Sequence, residues 1–159
     1  MNMTVNITLN LKDKAALEKV IKAARLAMRD TVKNVHADAV RMSPHKTGNN
    51  KRSLAFECSG FDTGEGVVDQ GGIEGAVYST SGYGGFLEIG TGIYGPYGKP
   101  IVPTHKKMLA WKDDDGVWIF ARAVRGIAPH PYIKPAADMN FTLTKFSESV
   151  KGYLNESSG

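Results

Sequence analysis

The chain opens with an alternating pattern of apolar and polar residues. Val5, Ile7 and Leu9 are separated by single polar residues, so their side chains share one face of an extended segment. This alternation is typical of a short strand with one covered face. The sequence predicts that residues 1–10 form either such a strand or an arm that joins the edge of a partner's sheet.

The next apolar residues follow a helical period. From Leu17 to Ala39 they recur at every third or fourth position, which places them on one side of an amphipathic helix. Pro44 ends this pattern, because the residue before a proline avoids the helical region. We predict one helix over residues 11–42, about 45 Å long at 1.5 Å per residue.

Short apolar runs separated by glycine and proline fill residues 52–124, and they predict a series of antiparallel strands. The clearest are Arg52–Cys58 and Gly75–Ser79. The segments 59–72 and 92–105 are rich in glycine or proline and longer than ordinary connections, so we predict long loops there.

A hairpin and a last helix complete the pattern. Met108–Trp111 and Val117–Ala123 flank an Asp-Gly pair, which is a strong hairpin signal. Pro135 suits a first helical turn, and the apolar residues after it predict one helix over residues 135–154. We predict a single α+β domain over residues 1–159, with a long N-terminal and a shorter C-terminal helix packed on a small antiparallel sheet.

Charge is concentrated in one element. The 159 residues carry a net charge of +4, and Lys12–Arg41, with eight basic and four acidic residues, accounts for the whole excess. Lys22, Arg25, Arg29 and Lys33 share the helical period and form a basic face. An ordinary solvated helix face explains this pattern, and a small nucleic-acid-binding protein that uses the long helix is the alternative hypothesis.

Composition and motifs exclude several classes of protein. A lone Cys58 rules out an internal disulfide framework, and no apolar run approaches the roughly 20 residues of a membrane span. The N-terminal residues lack the pattern of a signal peptide. The histidines are not spaced as metal ligands, and no catalytic pair can be named. We therefore expect no enzyme, no metal, no cofactor and no membrane association.

Loop aromatics and one acid stand out as candidate contact residues. Tyr83, Tyr94, Tyr97 and Tyr132 lie among glycines and prolines, where exposed tyrosines indicate contact surfaces or platforms that stack bases. Glu88 lies between Leu87 and Ile89. We interpret it as a structural acid that accepts hydrogen bonds or pairs with an arginine across a sheet or a subunit interface.

Three motifs follow one another along the chain: a proline turn leading to Thr-Gly and Arg-Ser-Leu, an aromatic box ending in Glu-apolar-Gly-Thr, and a Pro-aromatic-apolar box that opens the last helix. Their residues are Pro44, Thr47, Gly48, Arg52, Ser53 and Leu54, then Tyr83, Phe86, Leu87, Glu88, Ile89, Gly90 and Thr91, then Pro131, Tyr132, Ile133, Pro135 and Ala136. In this order they resemble the tail-completion, or head–tail joining, proteins of long-tailed bacteriophages.

This resemblance implies a fold and a role. The fold is α+β, with a curved antiparallel sheet beneath the two helices. The role is a non-enzymatic virion protein, assembled in the host cytoplasm, that forms a ring, often a hexamer, at the neck. Its partners are sister copies, the head-completion or stopper protein and the major tail-tube protein, with DNA passing nearby. Together with the loop tyrosines, these motifs make the candidate interface residues Tyr83, Phe86, Glu88, Gly90, Thr91, Tyr94, Tyr97, Pro131 and Tyr132.

Overall fold

The computed structural model describes residues 2–5, 14–44, 48–59 and 73–156. The chain divides into two compact units, which are Met1–Ser81 with Tyr132–Gly159, and Gly82–Pro131. The α+β class is confirmed, whereas a single domain stays a prediction. Thr47 and nearly all of the loop predicted over residues 59–72 lie outside the described residues.

The first unit is organised around a long helix, α1, over Lys14–Met42. It confirms the helix predicted from the apolar period, and its 29 residues span about 44 Å. The buried side of α1 uses small residues, which allow neighbouring elements to approach closely. Its buried residues are Ala23, Ala24, Ala27, Met28, Thr31, Val32, Val35 and Ala39.

A three-stranded antiparallel sheet packs against α1. Its strands are β1 (Asn2–Val5), β2 (Leu54–Cys58) and β3 (Ile73–Ser79), and β3 lies in the centre. The predicted strand Arg52–Cys58 starts two residues late, because a short helix, α2 (Asn49–Arg52), precedes it. Residues 2–5 of the predicted arm pair with β3 of their own chain.

The C-terminal segment is two helices, so the prediction of one helix over residues 135–154 is wrong. Helix α4 covers Ile133–Asn140 and α5 covers Leu143–Glu156. The Thr142 hydroxyl accepts a hydrogen bond from the Lys145 N–H at 3.2 Å, which caps the start of α5. The Phe141 and Phe146 rings pack 6.4 Å apart across this cap, as in a hydrophobic staple. A threonine cap between apolar residues therefore outweighed the continuing helical period.

Side-chain hydrogen bonds join α4 and α5 to α1. The Asn140 side chain donates to the Asp38 carboxylate at 2.7 Å, and the Tyr153 hydroxyl donates to the Asp30 carboxylate. The hydrogen bond to Asp30 raises the pKa of Tyr153, with smaller contributions from burial and from the negative charge. Ionisation of Tyr153 would therefore break this anchor.

Replacing Asp30 with asparagine is expected to lower the pKa of Tyr153. Because the folded-state pKa is raised, the bond stabilises the fold below the ordinary tyrosine value of about 10 and loses this contribution as the pH rises above it. A ¹³C NMR titration of the Tyr153 ring measures the change. Asp138→Asn, at an acid that binds Lys134 at 2.8 Å, is the control. An unchanged pKa in Asp30→Asn would contradict the assignment.

The second unit contains one short helix and a hairpin. Helix α3 covers Gly84–Ile89, and strands β4 (Leu109–Lys112) and β5 (Trp118–Ala121) form the predicted hairpin. The first unit has a three-stranded sheet of its own, so two antiparallel sheets replace the single predicted one. No helix in the described part of the chain is long and apolar enough to cross a membrane.

The prediction of strands and loops over residues 52–124 is wrong for Gly84–Ile89, which forms helix α3. The Gly90 N–H donates to the Phe86 carbonyl at 2.9 Å, and its φ of 77° turns the chain out of the helix. The segment 92–105 contains a 3-10 turn at Gly92–Tyr94 and an isolated bridge between Ile101 and Val124. It is otherwise irregular, as its proline and glycine content predicts.

Candidate functional site

The unit Gly82–Pro131 has almost no interior of its own. Its only buried residues are the glycines Gly84 and Gly90, so none of its larger side chains is buried. Large exposed apolar surfaces on a folded protein mark contact sites. The exposed large apolar residues of this unit are Tyr83, Phe86, Ile89, Tyr94, Tyr97, Ile101, Val102, Met108, Trp111, Val117, Trp118, Phe120 and Ile127.

The hairpin β4–β5 presents aromatic side chains to solvent. Every residue from Ala110 to Trp118 is exposed. Trp118 and Phe120 lie on one face of the ribbon, 56% and 60% exposed, with their rings stacked 6.3 Å apart. The Lys112 ammonium lies 5.3 Å from the Trp118 ring. A two-stranded ribbon is marginally stable in water without a surface to pack on, so this one is suited to a partner.

The tip of the hairpin carries three acidic residues. The Asp113 carboxylate accepts hydrogen bonds from the backbone N–H groups of Asp115 and Val117, at 3.1 and 2.9 Å, and so closes the turn. Asp114 and Asp115 follow it and are exposed. The tip therefore combines three neighbouring acids with the apolar stem behind them.

A groove of about 660 Å³ lies elsewhere in the same unit. Phe86 and Ile89 of α3 form one part of its lining, and residues 95–101 form another, including Tyr97, which is 88% exposed. Lys99 is the only charged residue among those that line it. The groove is thus lined mainly by apolar and glycine residues, with one cation.

Two hydrogen bonds between loops support the groove. The Thr91 N–H donates to the Ile127 carbonyl at 2.9 Å, and the Thr91 hydroxyl accepts from the Ile127 N–H at 3.0 Å. The loops approach so closely at Gly92 and Gly126 that a Cβ on either would lie 2.1–2.2 Å from a carbonyl oxygen of the other loop. Both have positive φ, which favours glycine.

The structure separates the predicted interface residues into three groups. Tyr83, Phe86, Tyr94, Tyr97 and Pro131 are exposed, and Phe86 and Tyr97 line the groove. Glu88 and Thr91 are half-buried, and the bonds of Thr91 give it a part in holding the loops together. Gly90 and Tyr132 are buried.

Tyr132 is the clearest difference from the sequence-based expectation of an exposed loop tyrosine. Its side chain is fully buried, and its hydroxyl donates to the Asn50 amide oxygen at 3.4 Å. The same oxygen accepts from the hydroxyls of Ser79 and Ser81, and the Asn50 amide donates to Ser43 at 2.9 Å. Tyr132 therefore belongs to a buried polar network, and its ring is not available to a partner.

The basic face of α1 is partly engaged within the chain. Lys22 and Lys33 are exposed, whereas Arg25 and Arg29 are half-buried, and the Arg29 guanidinium lies 3.5 Å from the Asp30 carboxylate.

Partial burial raises the pKa of the Cys58 thiol, and Arg29 and Arg25 oppose this shift. No group of three metal-ligating side chains occurs among the described residues.

Sequence reasoning did not identify the aromatic residues of the hairpin as contact residues. A signal was present, because all four residues of β5, Trp118–Ala121, are apolar, so both faces of the ribbon carry apolar side chains. Comparisons with protein-family models, curated proteins and solved structures found no match to this chain.

Proposed function

We propose that this chain is a structural protein of the neck of a long-tailed bacteriophage. Copies of it form a ring, which we expect to be a hexamer, between the head connector and the tail tube. Two lines of reasoning support the proposal. The three ordered motifs resemble the tail-completion proteins, and the unit Gly82–Pro131 exposes apolar side chains on two different features, the groove and the hairpin.

The observation that carries the proposal is the lack of an interior in Gly82–Pro131. Only two glycines of this unit are buried, while Phe86, Trp118 and Phe120 are more than half exposed. A protein that acts alone hides such side chains, because exposed apolar area is unfavourable in water and promotes aggregation. A ring subunit covers them against its neighbours, and a ring requires two different patches on each subunit.

The first test locates the chain in phage particles. Mass spectrometry of purified virions is expected to detect it, and antibody labelling in electron micrographs is expected to mark the junction of head and tail. Absence of the chain from complete virions would contradict the proposal.

A functional variant tests the contact surface in the same system. Phage carrying Trp118→Ser with Phe120→Ser is expected to lose infectivity by at least about 100-fold, because central aromatic contacts carry most of an interface's free energy. Separated heads and tails are expected to accumulate in the lysate. Met139→Ser, at an exposed apolar residue of the first unit, is the matched control and is expected to assemble normally. Normal infectivity of the double variant would count against the hairpin as a contact element.

A further inference from the structure

We infer that the hairpin of one copy docks into the groove of the next copy. The inference rests on the proposed function in one respect, which is that the chain associates with itself. Both features lie in Gly82–Pro131, both are exposed in the same subunit, and so neither covers the other. A convex element and a different concave element on each copy make a head-to-tail contact, the kind that closes into rings.

The chemistry of the two features is complementary. The hairpin offers the Trp118 and Phe120 rings, and the groove offers Phe86, Ile89 and Tyr97. Aromatic and aliphatic side chains of this kind dominate the centres of protein interfaces. The two aromatic rings are already stacked on each other, so little side-chain freedom is lost when they are covered.

Charge selects a second copy as the occupant of the groove. The hairpin tip carries three consecutive acids, Asp113–Asp115, and Lys99 is the one charged residue of the groove lining. An acidic tip on an apolar stem therefore meets a groove with a matching cation. This pairing places the tip at the Lys99 end and the stem along the apolar part, which sets the direction of the contact.

The decisive experiment mixes two defective variants. The hairpin variant is Trp118→Ser with Phe120→Ser, and the groove variant is Ile89→Ser with Tyr97→Ser. Each alone has lost one half of the contact, so self-association is expected to weaken at least roughly thirtyfold. In a mixture the intact groove of the first variant accepts the intact hairpin of the second. The mixture is expected to form one-to-one dimers and nothing larger, as measured by sedimentation velocity.

This design separates a lost contact from a lost fold, because dimers in the mixture can form only if both variants are folded. Two folded variants that stay monomeric when mixed would overturn the inference. Self-association of either variant at the strength of the unmodified chain would also overturn it, as would an unmodified chain that stays monomeric up to about 1 mM. Met139→Ser is again the control and is expected to associate normally.

Exchanging the charges tests the direction of docking. Lys99→Glu and Asp115→Lys are each expected to weaken association about two- to fivefold, and the two together are expected to restore it. The effects are expected to shrink at high salt, since exposed charges are screened. If the double variant did not regain the self-association of the unmodified chain, the pairing of the hairpin tip with Lys99 would be excluded. These measurements use purified chain, so their failure is distinguishable from absence of the chain from virions.

Discussion

Replacing Asn50 with leucine is expected to lower the free energy of unfolding of the first unit by about 2–4 kcal/mol. Asn50 is buried, and its side-chain amide forms hydrogen bonds with four residues. These are Ser43 after α1, Ser79 at the end of β3, Ser81 two residues after β3, and Tyr132 before α4. Leucine has a similar size but no polar atoms. The buried Ser43 and Tyr132 hydroxyls would each lose a partner, and this loss is the source of the cost.

Urea unfolding followed by far-ultraviolet circular dichroism measures this change. The matched control is Asn34→Leu, which makes the same substitution at an exposed position of α1 and is expected to change stability by less than about 0.5 kcal/mol. An equal loss in both variants would mean that the network of Asn50 contributes nothing specific. Because this network joins residues 43, 79, 81 and 132, we expect its loss to loosen several elements together.

Replacing Gly75 with alanine is expected to cost about 1–3 kcal/mol, although alanine ordinarily stabilises a strand relative to glycine. Gly75 lies in the middle of β3, where the sheet packs on α1. A Cβ there would lie 2.3 Å from Val32 Cγ2 and 3.1 Å from Met28 Sδ. Since both neighbours are fully buried, they have little room to move aside.

A double-mutant cycle tests this cause. Val32→Ala removes the methyl group that the new Cβ would meet, so Gly75→Ala is expected to cost less in that background than in the unmodified chain. The control is Gly152→Ala in α5, where a Cβ meets nothing within 4 Å. It is expected to stabilise the fold by about 0.5–1 kcal/mol, since alanine favours a helix. Equal costs of Gly75→Ala in both backgrounds would exclude the steric explanation.

The role of Asn50 also shows why sequence motifs could not reveal the details of the core. Asn50 lies between the Thr-Gly and Arg-Ser-Leu residues of the first motif, and the motif does not indicate whether it is buried. The structure gives Asn50 four hydrogen-bonding partners drawn from distant parts of the sequence. Burial of an asparagine depends on where those partners lie after folding, so sequence spacing alone cannot reveal it.

Local sequence patterns predicted two of the elements correctly. The three- to four-residue period fixed α1, and Asp-Gly between two apolar runs fixed the hairpin β4–β5, because both depend on interactions between near neighbours. Thr142 is a residue type that favours the start of a helix, so the sequence also contained a signal for the cap of α5. The helical period of the apolar residues continues through Thr142, however, and it led to the wrong prediction of one helix instead of two.

The burial of individual apolar residues could not be predicted from local patterns. Tyr132 directly precedes α4 and Trp118 is the first residue of β5, yet Tyr132 is fully buried and Trp118 is more than half exposed. Hydrophobic character is a property of a residue, whereas burial depends on which distant segments cover it. The groove is of this second kind, because the loops at Thr91 and Ile127 must meet to support it. The hairpin itself forms locally, but its exposure depends on whether another segment of the same subunit covers it.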